Sequence, residues 1–176
     1  MASPGRVHFC SPAFARIRGM RAFAFVLAAA LVSAACGGGS DAATRLPDVR
    51  LPTLGGPLGP SLATCSTEKC LTVLVAPWCG ICHQVTPDIV RLRRFLDKAG
   101  VGSRVVVGLS PELDQIKEMA ALFGSDSLLD TDGAVAARGV PLFIVTNRAG
   151  DVVKRVSGFP RGASTPDELA AYFGLP

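Results

Sequence analysis

Apolar positions fall into clear periods in the second half of the chain. Residues 71–76 (LTVLVA) form a short, β-branched apolar run, the mark of a buried strand. Pro77 and Trp78 end it. Val85, Ile89, Leu92 and Leu96 then recur at helical spacing. Residues 104–109 repeat the strand pattern. Ser110 suits a helix cap, Pro111 a first helical position, and Glu112 and Asp114 the positive end of a helix. That helix presents Leu113, Ile116, Ala120 and Phe123 on its inner face. A loop through 130–133 leads to Gly139, Val140 and Pro141. Two strands, 142–146 and 152–157, flank Asn147-Arg148-Ala149-Gly150 as a hairpin. Thr165-Pro166-Asp167-Glu168 is a capping box with Pro at the first helical position, and Gly174 stops the short helix that follows. The order is β-α-β-α-β-β-α, an α/β arrangement without internal repeats.

The first 62 residues are of another kind. Arg21, an apolar core over 22–32 and the small residues Ser33-Ala34-Ala35 make an export signal too short to span a bilayer. Met20 is an alternative start. Cys36 follows the small residues and precedes Gly37-Gly38-Gly39-Ser40, a pattern that resembles a bacterial lipoprotein signal. That resemblance implies acylation of Cys36 and a lipid anchor; the alternative is ordinary cleavage, with Cys36 the first residue of a soluble protein. Residues 37–62, rich in Gly and Pro and without a period, read as a flexible tether. The expected organisation is a leader over 1–36, a tether over 37–62 and one domain over 63–176.

Charge adds one exclusion. The leader holds four arginines and no acid, so its removal leaves fourteen basic residues against fourteen acidic ones. No basic surplus remains to bind nucleic acid.

The candidate chemistry lies in Cys79-Gly80-Ile81-Cys82, where the first strand ends and the first helix begins. Unpaired N–H groups and the positive end of the helix dipole favour a thiolate at Cys79. Cys82, one turn on, is near enough to close a disulfide. Cys65 and Cys70 form a second pair before the strand. That strand is about 20 Å long, which puts Cys70 far from Cys79 and argues against a four-cysteine metal site. In an oxidising compartment the pair reads as a structural disulfide, with a second redox relay as the alternative. His83 completes C-x-x-C-H, also the attachment motif of c-type haem. Trp78 reads as part core and part lid beside the cysteines.

Ala76-Pro77-Trp78-Cys79-Gly80-Ile81-Cys82 is similar to the active-site signature of thioredoxins, with Ile81 where they carry Pro. Pro87 matches the family's helix-kinking proline, Val140-Pro141 its cis-proline, and Gly158 a glycine after the hairpin. Leu129-Asp130-Thr131-Asp132, with the exported N-terminus, resembles the envelope thioredoxins of cytochrome c maturation and related thiol reduction. The resemblance covers residues 71–173 and implies a thioredoxin fold, a central mixed β-sheet flanked by helices. It implies a thiol–disulfide oxidoreductase of the bacterial cell envelope, facing the periplasm or exterior, that exchanges disulfides with partner proteins. Cys79 and Cys82 would be the catalytic pair, with Trp78, Val140 and Pro141 positioning substrate. A membrane electron donor or acceptor is implied; a metal or organic cofactor is not. The Trp-Cys-Gly start and the Asp-Thr-Asp segment favour a reductase over an oxidase. Val73 and Val85 stand where relatives carry acids. The alternatives are a non-catalytic binding module with an inert Cys79–Cys82 disulfide and haem attachment.

Overall fold

In the computed structural model, residues 45–176 are described. The elements are β1 (Arg50–Pro52), β2 (Leu58–Ser61), β3 (Lys69–Val75), α1 (Gly80–Lys98), β4 (Gly102–Gly108), α2 (Leu113–Ala121), β5 (Leu128–Asp130), β6 (Leu142–Asn147), β7 (Val152–Ser157) and α3 (Pro166–Phe173). The export signal, Cys36 and the first part of the expected tether lie outside the described residues.

Five strands form one mixed sheet in the order β5-β4-β3-β6-β7. β3, β4 and β5 are parallel, while β6 runs antiparallel to β3 and β7 antiparallel to β6. The crossovers β3-α1-β4 and β4-α2-β5 step in the same direction across the sheet. Right-handed connections therefore place both helices on one face. α3 joins them there, with Phe173 stacked on Phe143 at 4.8 Å between ring centroids. Alternation along the strands sends Leu71, Val73, Val75, Val105, Val107, Phe143 and Val145 to this face, where they meet Ile89, Leu92, Leu96, Ile116 and Leu169. This is the thioredoxin fold expected from the sequence.

The opposite face carries Leu74, Val106, Leu142 and Ile144, and among the described residues no helix covers it. Here the expected tether requires correction. From Arg45 onward the chain is folded, and β1 and β2 pair as a small antiparallel sheet. Leu46, Leu51 and Leu62 are buried against that apolar face. The arm also covers the β5 edge, with Leu54 N–H donating to Ser127 O at 2.8 Å and Gly55 N–H to Ser125 O at 2.9 Å. Arg104 points from β4 to this side and donates to the carbonyls of Ser61 (2.8 Å) and Thr64 (2.5 Å). Burial lowers the pKa of its guanidinium. Two glycines, one in the arm and one in the β6–β7 turn, sit where chains approach closely. A Cβ at Gly59 would collide with the Leu128 side chain, and one at Gly150 with the carbonyl of Ala63.

Two other expectations shift. α2 begins at Leu113, because the Ser110 hydroxyl accepts the Glu112 N–H (3.2 Å) in a turn before the helix. Leu113 is consequently exposed, and the inner face is Ile116, Met119 and Ala120. β5, read as loop, is a three-residue edge strand whose Asp130 approaches Gly108 closely enough to exclude a side chain there. The capping box is formed as expected, with the Glu168 carboxylate accepting the N–H groups of Ser164 (2.7 Å) and Thr165 (3.1 Å).

If the arm is core, Leu62→Ala in residues 45–176 should cost about 2–5 kcal/mol in urea unfolding. A fragment of 63–176 should lose cooperative unfolding. Unchanged midpoints for both proteins would show that the arm contributes nothing to the core.

Candidate functional site

β3 ends at Val75, and Ala76-Pro77-Trp78 turn the chain so that Cys79 becomes the N-cap of α1. Its sulfur accepts the Cys82 N–H at 3.2 Å, satisfying one of the unpaired donors of the first turn. No acid stands in that turn, so the positive end of a 19-residue helix acts on Cys79 uncompensated. Cys79 and Cys82 are joined as a disulfide. Cys79 keeps about 5% of its surface exposed and Cys82 none. Any chemistry from solvent therefore begins at Cys79.

Three segments frame the disulfide. The Val140-Pro141 peptide bond is cis, and the Val140 carbonyl oxygen lies 3.5 Å from the Cys79 sulfur. The register of β6 with β3 brings it there, since Leu142 pairs with Leu74 at the end of β3 that leads to the cysteines. The Pro141 carbonyl is held by the Gly158 N–H at 2.8 Å, with Gly158 at a positive φ of 83°. Trp78 forms the second border. Its indole N–H donates to the Leu109 carbonyl at 2.6 Å, but 64% of the residue is exposed, so it is a lid rather than core. Asp130 fixes the third segment from beneath. Its buried carboxylate accepts the N–H groups of Ala134 (2.7 Å) and Val135 (2.9 Å), shaping the loop that runs to the cis-proline.

Behind the disulfide the interior is apolar. Cys79 and Cys82 belong to the same buried cluster as Val73, Val85 and Ile89. Glu112 and Glu118 are exposed on the α2 side and do not enter it. His83 lies at the surface with Nε2 2.7 Å from the Pro77 carbonyl; because a carbonyl only accepts, Nε2 carries the proton.

Cys65 and Cys70 are joined as a disulfide with Cα atoms 5.6 Å apart. Cys70 pairs with Gly102 and Thr146, near the far end of the strand from the active-site turn. The structure does not bring the two cysteine pairs together.

Two residues here lacked a sequence signal. Leu109 adopts a left-handed φ of 60°, which places its carbonyl against Trp78; an ordinary leucine gives no hint of this. The Thr86 hydroxyl, buried in α1, donates back to the Cys82 carbonyl at 2.8 Å.

No protein-family model matches the chain, and no curated protein matches it. Solved structures do. A secreted disulfide oxidoreductase of Mycobacterium tuberculosis, described as homologous to E. coli DsbE, is similar with a TM-score of 0.57 at 16% identity, over 72% of this chain and 95% of that one. The exposed lipoprotein thioredoxin of Streptococcus pneumoniae is similar with a TM-score of 0.57 at 21% identity, over 73% and 98%. A thiol:disulfide interchange protein of the thioredoxin family from Chlorobium tepidum gives 0.55 at 19% identity, over 73% and 92%. At these identities the likeness establishes the thioredoxin fold.

The burial difference predicts an order of reaction. Limiting iodoacetamide added to the reduced protein at neutral pH should modify Cys79 before Cys82, as read by peptide mass spectrometry. Preferential modification of Cys82 would contradict the geometry.

Proposed function

We propose that the protein is a cell-envelope thiol–disulfide oxidoreductase working through Cys79 and Cys82, in the direction of reduction. One observation carries this reading: a cysteine pair at a helix N-terminus, with only the first sulfur accessible and a cis-proline carbonyl beside it. That asymmetry suits two-step exchange. The Cys79 thiolate attacks a partner's disulfide, forms a mixed disulfide and releases one partner thiolate. Cys82 then gives up its proton, attacks the Cys79 sulfur and releases the second partner thiolate. Two electrons pass to the partner, its two thiolates take up two protons, and Cys79–Cys82 is left oxidised. The Val140-Pro141 turn aligns the partner's chain, and Trp78 borders the entry.

Support for reduction is electrostatic. A strong oxidant of this type needs its reduced form specially stabilised. Among the described residues, the hydrogen bond reaching the Cys79 sulfur is the Cys82 N–H, and the His83 ring is engaged by Pro77 instead. The thiolate thus has the helix terminus but no cation bonded to it. Cys82 rests in apolar surroundings that suit a neutral thiol.

The envelope assignment rests on the leader and on Cys36 as a lipidation site, and the secreted and lipoprotein neighbours favour it. Among the described residues no helix is long and apolar enough to cross a membrane. Arg45 bridges Asp151 beside the β6–β7 turn, at the opposite end of the sheet from Cys79. Electrons would be resupplied by a membrane protein. Cys65–Cys70 serves as a structural clamp between the arm and β3.

Cys82→Ser protein expressed with its signal should trap mixed disulfides through Cys79, visible as adducts that dithiothreitol dissolves. A Cys79→Ser/Cys82→Ser control should trap none through this site. Absence of adducts from the single variant would favour the binding-module reading.

A further inference from the structure

The two flanks of the cysteine motif differ in charge and shape. Residues 81 and 85 lie on the opposite side of α1 from residue 83, because each residue advances the helix by about 100°. On the His83 side a small groove is bordered by Pro77, Met119 and Leu122, with Glu118 at its rim. On the other side a groove of about 490 Å³ runs between α1 and the segment after β7. Its walls are Ile81, Val85, Phe159 and Pro160, with the Ser157 residue and Arg161 supplying its polar edge.

This second groove is held in place from within. Phe159 packs edge-on against Phe143 at 6.1 Å between centroids, and Pro160 is buried. The Gly158 N–H ties the wall to the Pro141 carbonyl, so the groove and the cis-proline turn are one connected surface. Ile81 is 43% exposed and lies within the cysteine motif itself. Arg161 is exposed, and among the described residues no hydrogen bond or ion pair occupies its guanidinium. No acid lines the groove.

We infer that this groove selects partner proteins by charge, and that Arg161 is its specificity-determining residue. The inference rests on the thiol–disulfide reading above and deepens it. The occupant is an extended segment of the partner that carries the reacting cysteine. An apolar residue beside that cysteine lies against Ile81 and Phe159, and a carboxylate a few residues along pairs with Arg161. A lysine at the carboxylate's place is disfavoured by like charge. Rim charges of this kind act on the rate of encounter and are sensitive to salt.

The test uses reduced full-length protein and two synthetic peptides, identical except for Glu or Lys three residues from a single cysteine. Each cysteine is presented as a mixed disulfide with thionitrobenzoate, whose release gives the rate. The wild-type protein should react with the Glu peptide about fivefold faster at low ionic strength, the upper range for an exposed ion pair. The preference should fall towards unity in high salt. Arg161→Lys should retain it and Arg161→Glu should reverse it. Equal rates for the two peptides, or the same preference in Arg161→Glu as in wild type, would overturn the assignment. Wild-type reaction with neutral 2-hydroxyethyl disulfide separates the two levels of the argument. A protein that reduces it but ignores peptide charge refutes the groove assignment alone, whereas an inert protein refutes both that and the redox reading.

Discussion

The strand-to-helix junction after Val75 is the constraint on which the site depends. Three residues separate the last paired position of β3 from the helix cap, so Cys79 must occupy the place where backbone donors are unpaired. Helical geometry then turns Cys82 inward, one turn later. One cysteine just reaching solvent and one wholly buried follow from a single turn. The sheet supplies the other half. β6 pairs with β3 in a register that sets Leu142 against Leu74, and the preceding Val140-Pro141 peptide is delivered beside Cys79. Residues 61 positions apart in sequence meet because two central strands fix them.

The sheet can do this only if both of its faces are covered. Three helices cover one face, and the stretch 45–62 covers the other with Leu46, Leu51 and Leu62. Arg104 fastens that arm by donating to two of its carbonyls, and the Cys65–Cys70 disulfide closes the turn from the arm into β3. The arm shares one apolar cluster with Leu74 of β3 and with Leu142 and Ile144 of β6, the strands that position the cysteines. Covering the sheet and shaping the site are therefore coupled, though the arm contributes no residue to the chemistry.

Legibility in the sequence followed the strength of local signals. Strands β3, β4, β6 and β7 showed as β-branched runs, α1 as a clear 3.6-residue period, and α3 through its capping box. The cysteines and Pro141 stood out by residue type at a fixed spacing. The arm is hard to read because its strands β1 and β2 are only three and four residues long, too short for its leucines to show a period, and its glycines look like linker residues. A side chain at Gly59 would meet Leu128, a long-range relation invisible locally. β5 was too short to register. Leu109 and the Arg161 groove depend on loops whose course only the assembled sheet determines.

Cys79–Cys82 is proposed as a reversible redox couple, entered at Cys79 and with no cation bonded to its sulfur among the described residues. Equilibration in thiol–disulfide buffers, read by fluorescence, tests this directly, because Trp78 is the chain's only tryptophan and borders the pair. One two-electron transition at about −270 mV is expected, in the range of a reductase. A transition near about −120 mV would contradict the direction, and a signal that never responds to the buffer would contradict the claim itself.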